Sequence, residues 1–497
     1  MMRGLACFLF LMTVGLAPVA RAQPADIRID VDRAIEETRG ALVGLGWNTR
    51  ELERVAPLRP HTVRIDGELS RLSPGPGELR VDRLLDQILR VRSTGAEPLV
   101  ILYPLPEWLG EARAAACTPT IFFPEGCSAR RVRPDDLDAW ESLIEEIVLR
   151  AATAEPPAYL FESWNEPDLP IFWHDTREAF LETAAATHRA VARVAEDTGL
   201  PVRIGGPGSS FPEFAAEYAR TILGAGLPLH FVSWHWYANN PKLGPDGAEG
   251  NIDPALYEAL AGVNPDMTPA IYGDMTRDVR EAIAPLLEPG RAPPELIIDE
   301  WNVSAGGLDL RHDSNEGAAF VAASLIEMER AGLDRALLYR SNSNRERPGD
   351  WGILDTRNRR KPSWWALRAF QLARGQRLAL EGDDPAGGLW ARASRKGNAI
   401  DVLLSNFQAV DGRAREVTLS LRGDCDAPNA RISSLHADSP TLGWSRTVRM
   451  PDGPLALELP AQSVTWLRLS CRGGGRTSCL PGVGASRRCR TRLPRGR

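Results

Sequence analysis

The stretch AYLFESWNEPDLP, residues 158–170, begins as an apolar run, turns polar at Trp164-Asn165-Glu166 and stops at Pro167. Proline removes a ladder donor, so a strand that reaches this point ends here. A short apolar run of this kind reads as a strand covered on both faces, as in a parallel sheet, with an acid delivered to its C-terminal edge. Seven further runs share the form: GALVGLGWN from Gly40, HTVRIDGE from His61, PLVILYPLPEW from Pro98, PVRIGGPGS from Pro201, HFVSWHWYA from His230, ELIIDEWN from Glu295 and RALLYRSNSN from Arg335.

Between most of these runs the apolar spacing is helical, over 81–93, 135–152, 176–199 and 317–332. Acids gather at the start of the second helix, where the helix dipole favours them, and Gly199 and Gly332 are stop signals. Eight strand-like runs alternating with helices predict an α/β fold of the TIM class, a (β/α)8 barrel. A doubly wound open sheet would carry a Gly-rich phosphate turn after its first strand, and GLGWNT at 44–49 does not fit one.

The pattern changes after KPSWWALRAFQLARG, 361–375. NAIDVLLSNF, REVTLSLRG, RTVRMPDG, LALELP and SVTWLRLS are short, alternating and separated by turn residues. They predict a C-terminal antiparallel β-sandwich over 376–471, behind a barrel at 23–375. ADIRIDVDRA, 25–34, alternates as well and is expected to add a strand to that sandwich.

At 497 residues and 43% apolar composition, the chain is long enough for a large domain plus a smaller one. The net charge is −6, but the last 26 residues hold eight arginines and no acid, and without those arginines the balance is −14. An acidic body argues against a nucleic-acid partner. The Gly- and Arg-rich end, 472–497, has little to bury and reads as a disordered tail. At the other end, MMRGLACFLFLMTVGLAPVARA has a basic start, a short apolar stretch and a small-x-small site, which reads as a secretory signal peptide cut after Ala22. The apolar stretch is too short to span a membrane with these flanks. A secreted or periplasmic destination follows. The six cysteines beyond it permit disulfides in several connectivities, Cys117–Cys127 and Cys425–Cys471 among them. None forms a Cys-x-x-Cys pair, so a zinc site is not expected.

Barrel enzymes carry their active sites at the C-terminal ends of the strands. The fourth run closes on Asn165-Glu166, the sixth on His235-Trp236-Tyr237 and the seventh on Asp299-Glu300-Trp301. Two glutamates on strands four and seven therefore project from one mouth. Paired carboxylates suit glycoside hydrolysis, which needs one protonated acid for the leaving oxygen and one ionised group to attack or to activate water. Asp299 is the nearest competitor to Glu300, but alternation along a strand should aim only one of the two inward. Glu162 is expected to be a buried structural partner of Arg64. Flat aromatic faces stack on sugar rings, and Trp47, Trp173, Trp301 and Trp351, at strand ends or in the loops just after, are the candidate platforms. No Gly-x-Ser-x-Gly elbow, His-Glu-x-x-His motif or Walker loop competes.

FESWNEPDLPIFW followed by IIDEWN resembles retaining glycosidases of the large barrel clan, and glycoside hydrolase family 39 in particular. That family includes β-xylosidases, α-L-iduronidases and bacterial exopolysaccharide glycosidases. Phe161-Glu162 before Trp-Asn-Glu-Pro, His235-x-Tyr237, and WGILDTRNRRKPSWWAL at 351–367 carry the likeness over roughly 25–470. It departs at strand two, where Arg64-Ile65-Asp66-Gly67 replaces an expected His-Gly. The resemblance implies an exported enzyme that cleaves a polysaccharide or oligosaccharide by double displacement. Glu166 would be acid/base and Glu300 nucleophile. Asn165 would bond the sugar 2-hydroxyl, Tyr237 would orient Glu300, and His235 would support the acid/base side or the sugar. No metal or organic cofactor is implied, the partner is carbohydrate, and the oligomeric state is left open. The alternative is a non-catalytic carbohydrate-binding protein on a glycosidase-like barrel.

Overall fold

The computed structural model describes residues 22–37, 42–46, 52–118, 124–238, 267–443 and 445–471. The leader, the Arg-rich tail, Trp47 and the greater part of the long segment after the sixth barrel strand lie outside them. Strands are numbered β1–β17 in chain order.

Eight parallel strands close into a barrel: β2 (Val43–Gly46), β3 (Thr62–Asp66), β4 (Glu97–Ile101), β5 (Leu160–Glu162), β6 (Arg203–Ser209), β7 (Phe231–Tyr237), β8 (Glu295–Asn302) and β9 (Arg335–Tyr339). The β2–β9 pairing, Val43 opposite Ala336 through Gly46 opposite Tyr339, completes the ring. Each strand falls within one of the eight apolar runs, save that β4 begins one residue earlier, at Glu97. Leu99, Leu160, Phe231, Ile297 and Leu337 form a small cluster of their own, the inward layer of the barrel. At the N-terminal end Arg335 and Arg203 each pair with both Glu97 and Glu295, at 2.6–3.1 Å, and plug the barrel opposite the site.

The helices follow the sequence spacing closely, at Asp82–Ser93, Leu137–Ala152, Arg177–Thr198 and Asn315–Arg330. Asp136 caps the second by accepting from the N–H groups of Asp138 and Ala139. Gly199, at φ 66°, ends the third in the left-handed conformation that glycine adopts without a Cβ clash.

The second domain is one nine-stranded sheet in the order β15-β14-β17-β12-β11-β10-β1-β13-β16. It contains β10 (Gln376–Glu381), β11 (Leu389–Lys396), β12 (Ala399–Asn406), β13 (Arg415–Arg422), β14 (Asn429–Leu435), β15 (Arg446–Arg449), β16 (Leu455–Leu459) and β17 (Ser463–Ser470). The N-terminal strand β1 (Ala25–Glu37) lies inside it, antiparallel to β10 and parallel to β13. Register shifts near Ala34 bend β1. Residues from both ends of the sheet, such as Ile432 and Leu467 with Leu419 and Leu457, share one core, so the sheet folds over itself as a sandwich. Cys425 and Cys471 are joined by a disulfide in this domain, and Cys117 and Cys127 are joined in a barrel loop.

Helix Asn315–Arg330 is buried almost all round. That fits its composition, apolar on every face, because it is trapped between barrel and sheet. From it Glu329 takes a paired ion bond with Arg392, Nε–Oε2 2.6 Å, and Glu327 accepts from the Trp390 indole at 2.8 Å.

Candidate active site

Strand parity decides which side chains reach the mouth. On β3, Arg64 and Asp66 follow Thr62 inward; on β7, Ser233, His235 and Tyr237 follow Phe231. On β8, Ile297 is inward, so strict alternation would aim Asp299 inward and Glu300 out. The ladder breaks there. Trp234 pairs with Ile298 and His235 with Glu300, while on the other side Ile298 pairs with Ala336 and Trp301 with Leu338. Asp299 is the extra residue of a β-bulge seen from both neighbours, and the bulge returns Glu300 to the mouth. The expectation that only one of the two acids faces inward is corrected on this point: Asp299 and Glu300 both contact Arg64, at 3.1 and 3.4 Å.

Arg64, 0% exposed, is the hub. Its guanidinium also reaches Glu162 Oε2 at 2.7 Å and Asn165 Oδ1 at 2.9 Å. The expected Arg64–Glu162 pairing is therefore present. Ser233 donates to the other Glu162 oxygen at 2.6 Å. Burial lifts the Glu162 carboxyl well above the usual carboxylate range, and the nearby Asp299 adds to the effect. Burial presses on Asp299 in the same sense, yet Arg64 and His235 hold it below its ordinary value. The two acids share one guanidinium, so their titration belongs to the pair.

Glu166 leaves β5 through a strained backbone, φ 46°, with its N–H donating to Gly208 O at 2.8 Å. Its Oε1 meets His235 Nδ1 at 2.8 Å. Burial opposes charge on His235, but Glu300 and Asp299 outweigh it and hold the imidazole well above its ordinary pKa. The neighbouring acids thus favour the charged imidazole, whose Nδ1–H is placed to donate to Glu166. Glu300 accepts a short hydrogen bond from the Tyr237 hydroxyl. Burial raises the Glu300 pKa, and the repulsion of Glu166 adds to it; His235, Arg64 and the Tyr237 hydroxyl pull the other way. The two glutamate side chains are 12% and 13% exposed.

One ligand atom each from Glu166, His235 and Glu300 fall within 4.8 Å of one another, which brings two carboxylate oxygens across the mouth to within that distance. The same three atoms have the makings of a metal group. Tetrahedral ligands on bonds of about 2.1 Å sit about 3.4 Å apart, so a cation here would have to draw them together and break the His235–Glu166 bond.

Of the proposed sugar platforms, two are corrected. Trp301 is 0% exposed, because the parity that brings Glu300 in sends Trp301 out, against Tyr272 at 5.4 Å. Trp173 is 4% exposed and packs edge-on to Trp164 and Phe180, at 5.2 and 5.5 Å. Trp351 is half-buried at the rim, 5.6 Å from Tyr339, whose ring lies 6.4 Å from Tyr237. Trp47 lies outside the described residues. Three mouth residues escaped the sequence reading. Burial raises Asp66 to about 6 and Asp168 to about 7, and Tyr103 is held near Asp66 and Glu166. Asp168 accepts the N–H groups of Ser210 and Phe211 at 2.9 Å and ties the loop of Glu166 to that of β6. Position alone, at a strand end or just after it, was the available signal for all three.

A family model for the glycosyl hydrolases family 39 matches residues 79–425, more than half of the chain. The chain belongs to that family, and it is a glycosidase. It is 24% identical to a beta-xylosidase of Caldicellulosiruptor saccharolyticus over 415 residues, 78% of this chain and 77% of that one. A beta-xylosidase of Geobacillus stearothermophilus is also 24% identical, over 72% of this chain and 67% of its own. Among solved structures, a monomeric beta-xylosidase from Caulobacter crescentus superposes with a TM-score of 0.68 at 19% identity, covering 90% of this chain and 100% of that one. A family 39 enzyme from Xanthomonas axonopodis pv. citri gives 0.65 at 18%, covering 92% and 100%. Both share the fold, a barrel with an appended sheet domain.

Proposed function

We propose that the protein is an exported, retaining glycoside hydrolase acting by double displacement, with Glu300 as nucleophile and Glu166 as acid/base. The observation that carries this is the approach of the two carboxylates. Oxygens within 4.8 Å of each other are in keeping with the roughly 5–5.5 Å separation of retaining enzymes, which is shorter than the roughly 6.5–9.5 Å that leaves room for an inverting water.

The supports divide the roles. Glu300 receives Tyr237 O–H and Arg64 N–H, donors that favour the carboxylate a nucleophile must be. Among the described residues the Glu166 carboxyl is bonded by one side chain, His235, whose imidazole can hold or release a proton as Glu166 gains or loses its own. In the first step Glu166 protonates the glycosidic oxygen while Glu300 attacks the anomeric carbon. In the second Glu166 takes a proton from water, which displaces the ester at Glu300. Arg64 fixes the Asn165 carbonyl oxygen, so the amide nitrogen is free to donate to a sugar hydroxyl next to the reacting carbon. Trp351 is the remaining described candidate for a stacking platform. The β-xylosidase relatives make β-xylosides the first substrates to try, with exopolysaccharides next. Two disulfides and the N-terminal sequence favour an oxidising destination outside the cytoplasm.

The test is nitrophenol release from a panel of aryl glycosides by the mature protein. A preference for one sugar is expected, with kcat reduced by about 10³-fold or more in Glu300→Gln. Release from some member of the panel that Glu300→Gln leaves untouched would sink the assignment. Binding of oligosaccharides without turnover by the parent would favour the non-catalytic alternative.

A further inference from the structure

A cleft of ≈560 Å³ lies in the loop between β9 and the last barrel helix, Pro362–Leu372. Six of its lining residues are cationic and three are acidic. The acids are spoken for: Glu346 pairs with Arg357 at 2.5 Å, Asp355 with Arg359 at 2.6 Å and Asp313 with Lys361 at 2.6 Å. Arg360 lies over the Trp364 ring, 4.0 Å from its centroid. Arg345 and Arg347 have no ion-pair partner among the described residues, and the buried Nε of Arg347 has no hydrogen-bond acceptor. The Ser343 hydroxyl, 9% exposed, lines the same cleft and also lacks a partner among the described residues. The helix beginning at Pro362 opens onto the cleft without a side-chain cap, so its partial positive charge adds to that of the arginines. Unspent donors and positive charge converge here on a body whose overall balance is acidic.

The cleft is on the rim that carries Glu166 and Glu300. From Glu300 the path runs through Tyr237 to Tyr339 and on to Trp351, which belongs to the same loop as the arginines. The reacting centre itself holds both signs, Glu166 and Glu300 against Arg64 and His235, with Asp168 near Glu166. The unpaired positive charge of the cleft favours an anionic group one or more units away from the point of cleavage. We propose that this loop is an anion-binding subsite that takes a carboxylate or sulfate group of an acidic glycan, one or more units from the bond that is cut. The choice of a glycan as the source of the anion rests on the glycosidase reading above. The anion site does not.

The experiment is calorimetric titration of the full chain carrying Glu300→Gln with hexagalacturonate, a heparin-derived hexasaccharide, neutral xylohexaose and inorganic sulfate. At least one acidic hexasaccharide is expected to bind about tenfold or more tightly than xylohexaose, with an affinity that falls as salt rises. Adding Arg345→Ala and Arg347→Ala together should remove about tenfold of that affinity. Arg90→Ala, which deletes a surface charge elsewhere, should not. Acidic and neutral hexasaccharides binding alike, or an arginine double variant binding as its parent does, would overturn the proposal. Sulfate binding as tightly as either acidic oligosaccharide would leave a free-anion site and overturn the glycan. Turnover of aryl glycosides by the parent enzyme is read separately, so that its loss and the loss of this subsite cannot be confused.

Discussion

Tyr237 and Glu166 carry the sharpest expectations for single residues. The Tyr237 hydroxyl donates to Glu300 and so favours its ionised form. Tyr237→Phe removes that donor, and the Glu300 pKa, already raised by burial, rises further. The acidic limb of the kcat/KM profile should move to higher pH, with kcat down by about 10²-fold. A limb that stays put, or moves to lower pH, would show that Glu300 is not the group titrating there. Glu166→Ala should separate substrates by leaving group. Aryl glycosides whose phenol departs without a proton keep their first step, while alkyl glycosides lose it by about 10²–10⁴-fold. Equal losses for both kinds would remove Glu166 from the acid role.

At the scale of elements, the barrel's helices are held by buried polar contacts as well as by apolar faces. His188 on helix Arg177–Thr198 meets the Tyr218 hydroxyl of the next helix, Pro212–Gly224, at 2.5 Å, and Pro228 O at 2.7 Å. With Nδ1–H donated to a carbonyl, Nε2 accepts and the ring is neutral. Burial lowers its pKa from 6.5 to about 3. Below pH 6.5 the unfolded chain binds a proton that the folded one refuses, so this group's contribution is complete above that pH. It is lost as pH falls toward 3, by up to about 1.4 kcal/mol per unit. His188→Gln should flatten the stability profile between pH 6.5 and 4 in urea melts. An unchanged slope would place the acid sensitivity elsewhere, in the carboxylates. The β8 bulge belongs to this scale too, since one extra residue in one strand decides whether Glu300 faces the mouth or the helices.

For the whole molecule, the link between barrel and sheet is the question. Arg392 on β11 and Glu329 on the trapped helix are 1% and 5% exposed and bonded at two points, 2.6 and 3.0 Å. Breaking one partner leaves a buried charge alone, which costs about 3–5 kcal/mol. Arg392→Met should therefore destabilise the protein by about that amount at neutral pH, and Glu329→Gln added to it should recover a good part. A single variant within 1 kcal/mol of its parent, on the scale of exposed pairs, would show that water reaches the pair. The same helix explains β11, which no alternating pattern announced. Leu389 to Ser394 are all buried, because the trapped helix covers one face and the sheet's own core the other.

The sequence by itself determined the barrel, the second sheet and the two acids. Parallel strands covered on both faces must be continuous apolar runs, and a polar cluster that ends such a run can only sit at the barrel's rim. Glu166 and Glu300 were legible for that local reason, and Arg64 with Glu162 because both lie on the inward parity of their strands. What tertiary structure decided depends on neighbours in space. The bulge at Asp299 exists only as a register against β7 and β9, so no reading of ELIIDEWN alone could show that both acids turn inward. Trp301 and Trp173 look the same in sequence as Trp351, and burial against Tyr272 and Phe180 is what separates them from Trp351, which stays half-buried at the rim. The cationic cleft after β9 gathers charges whose pairing, not whose number, leaves two arginines over, and pairing is settled by distance.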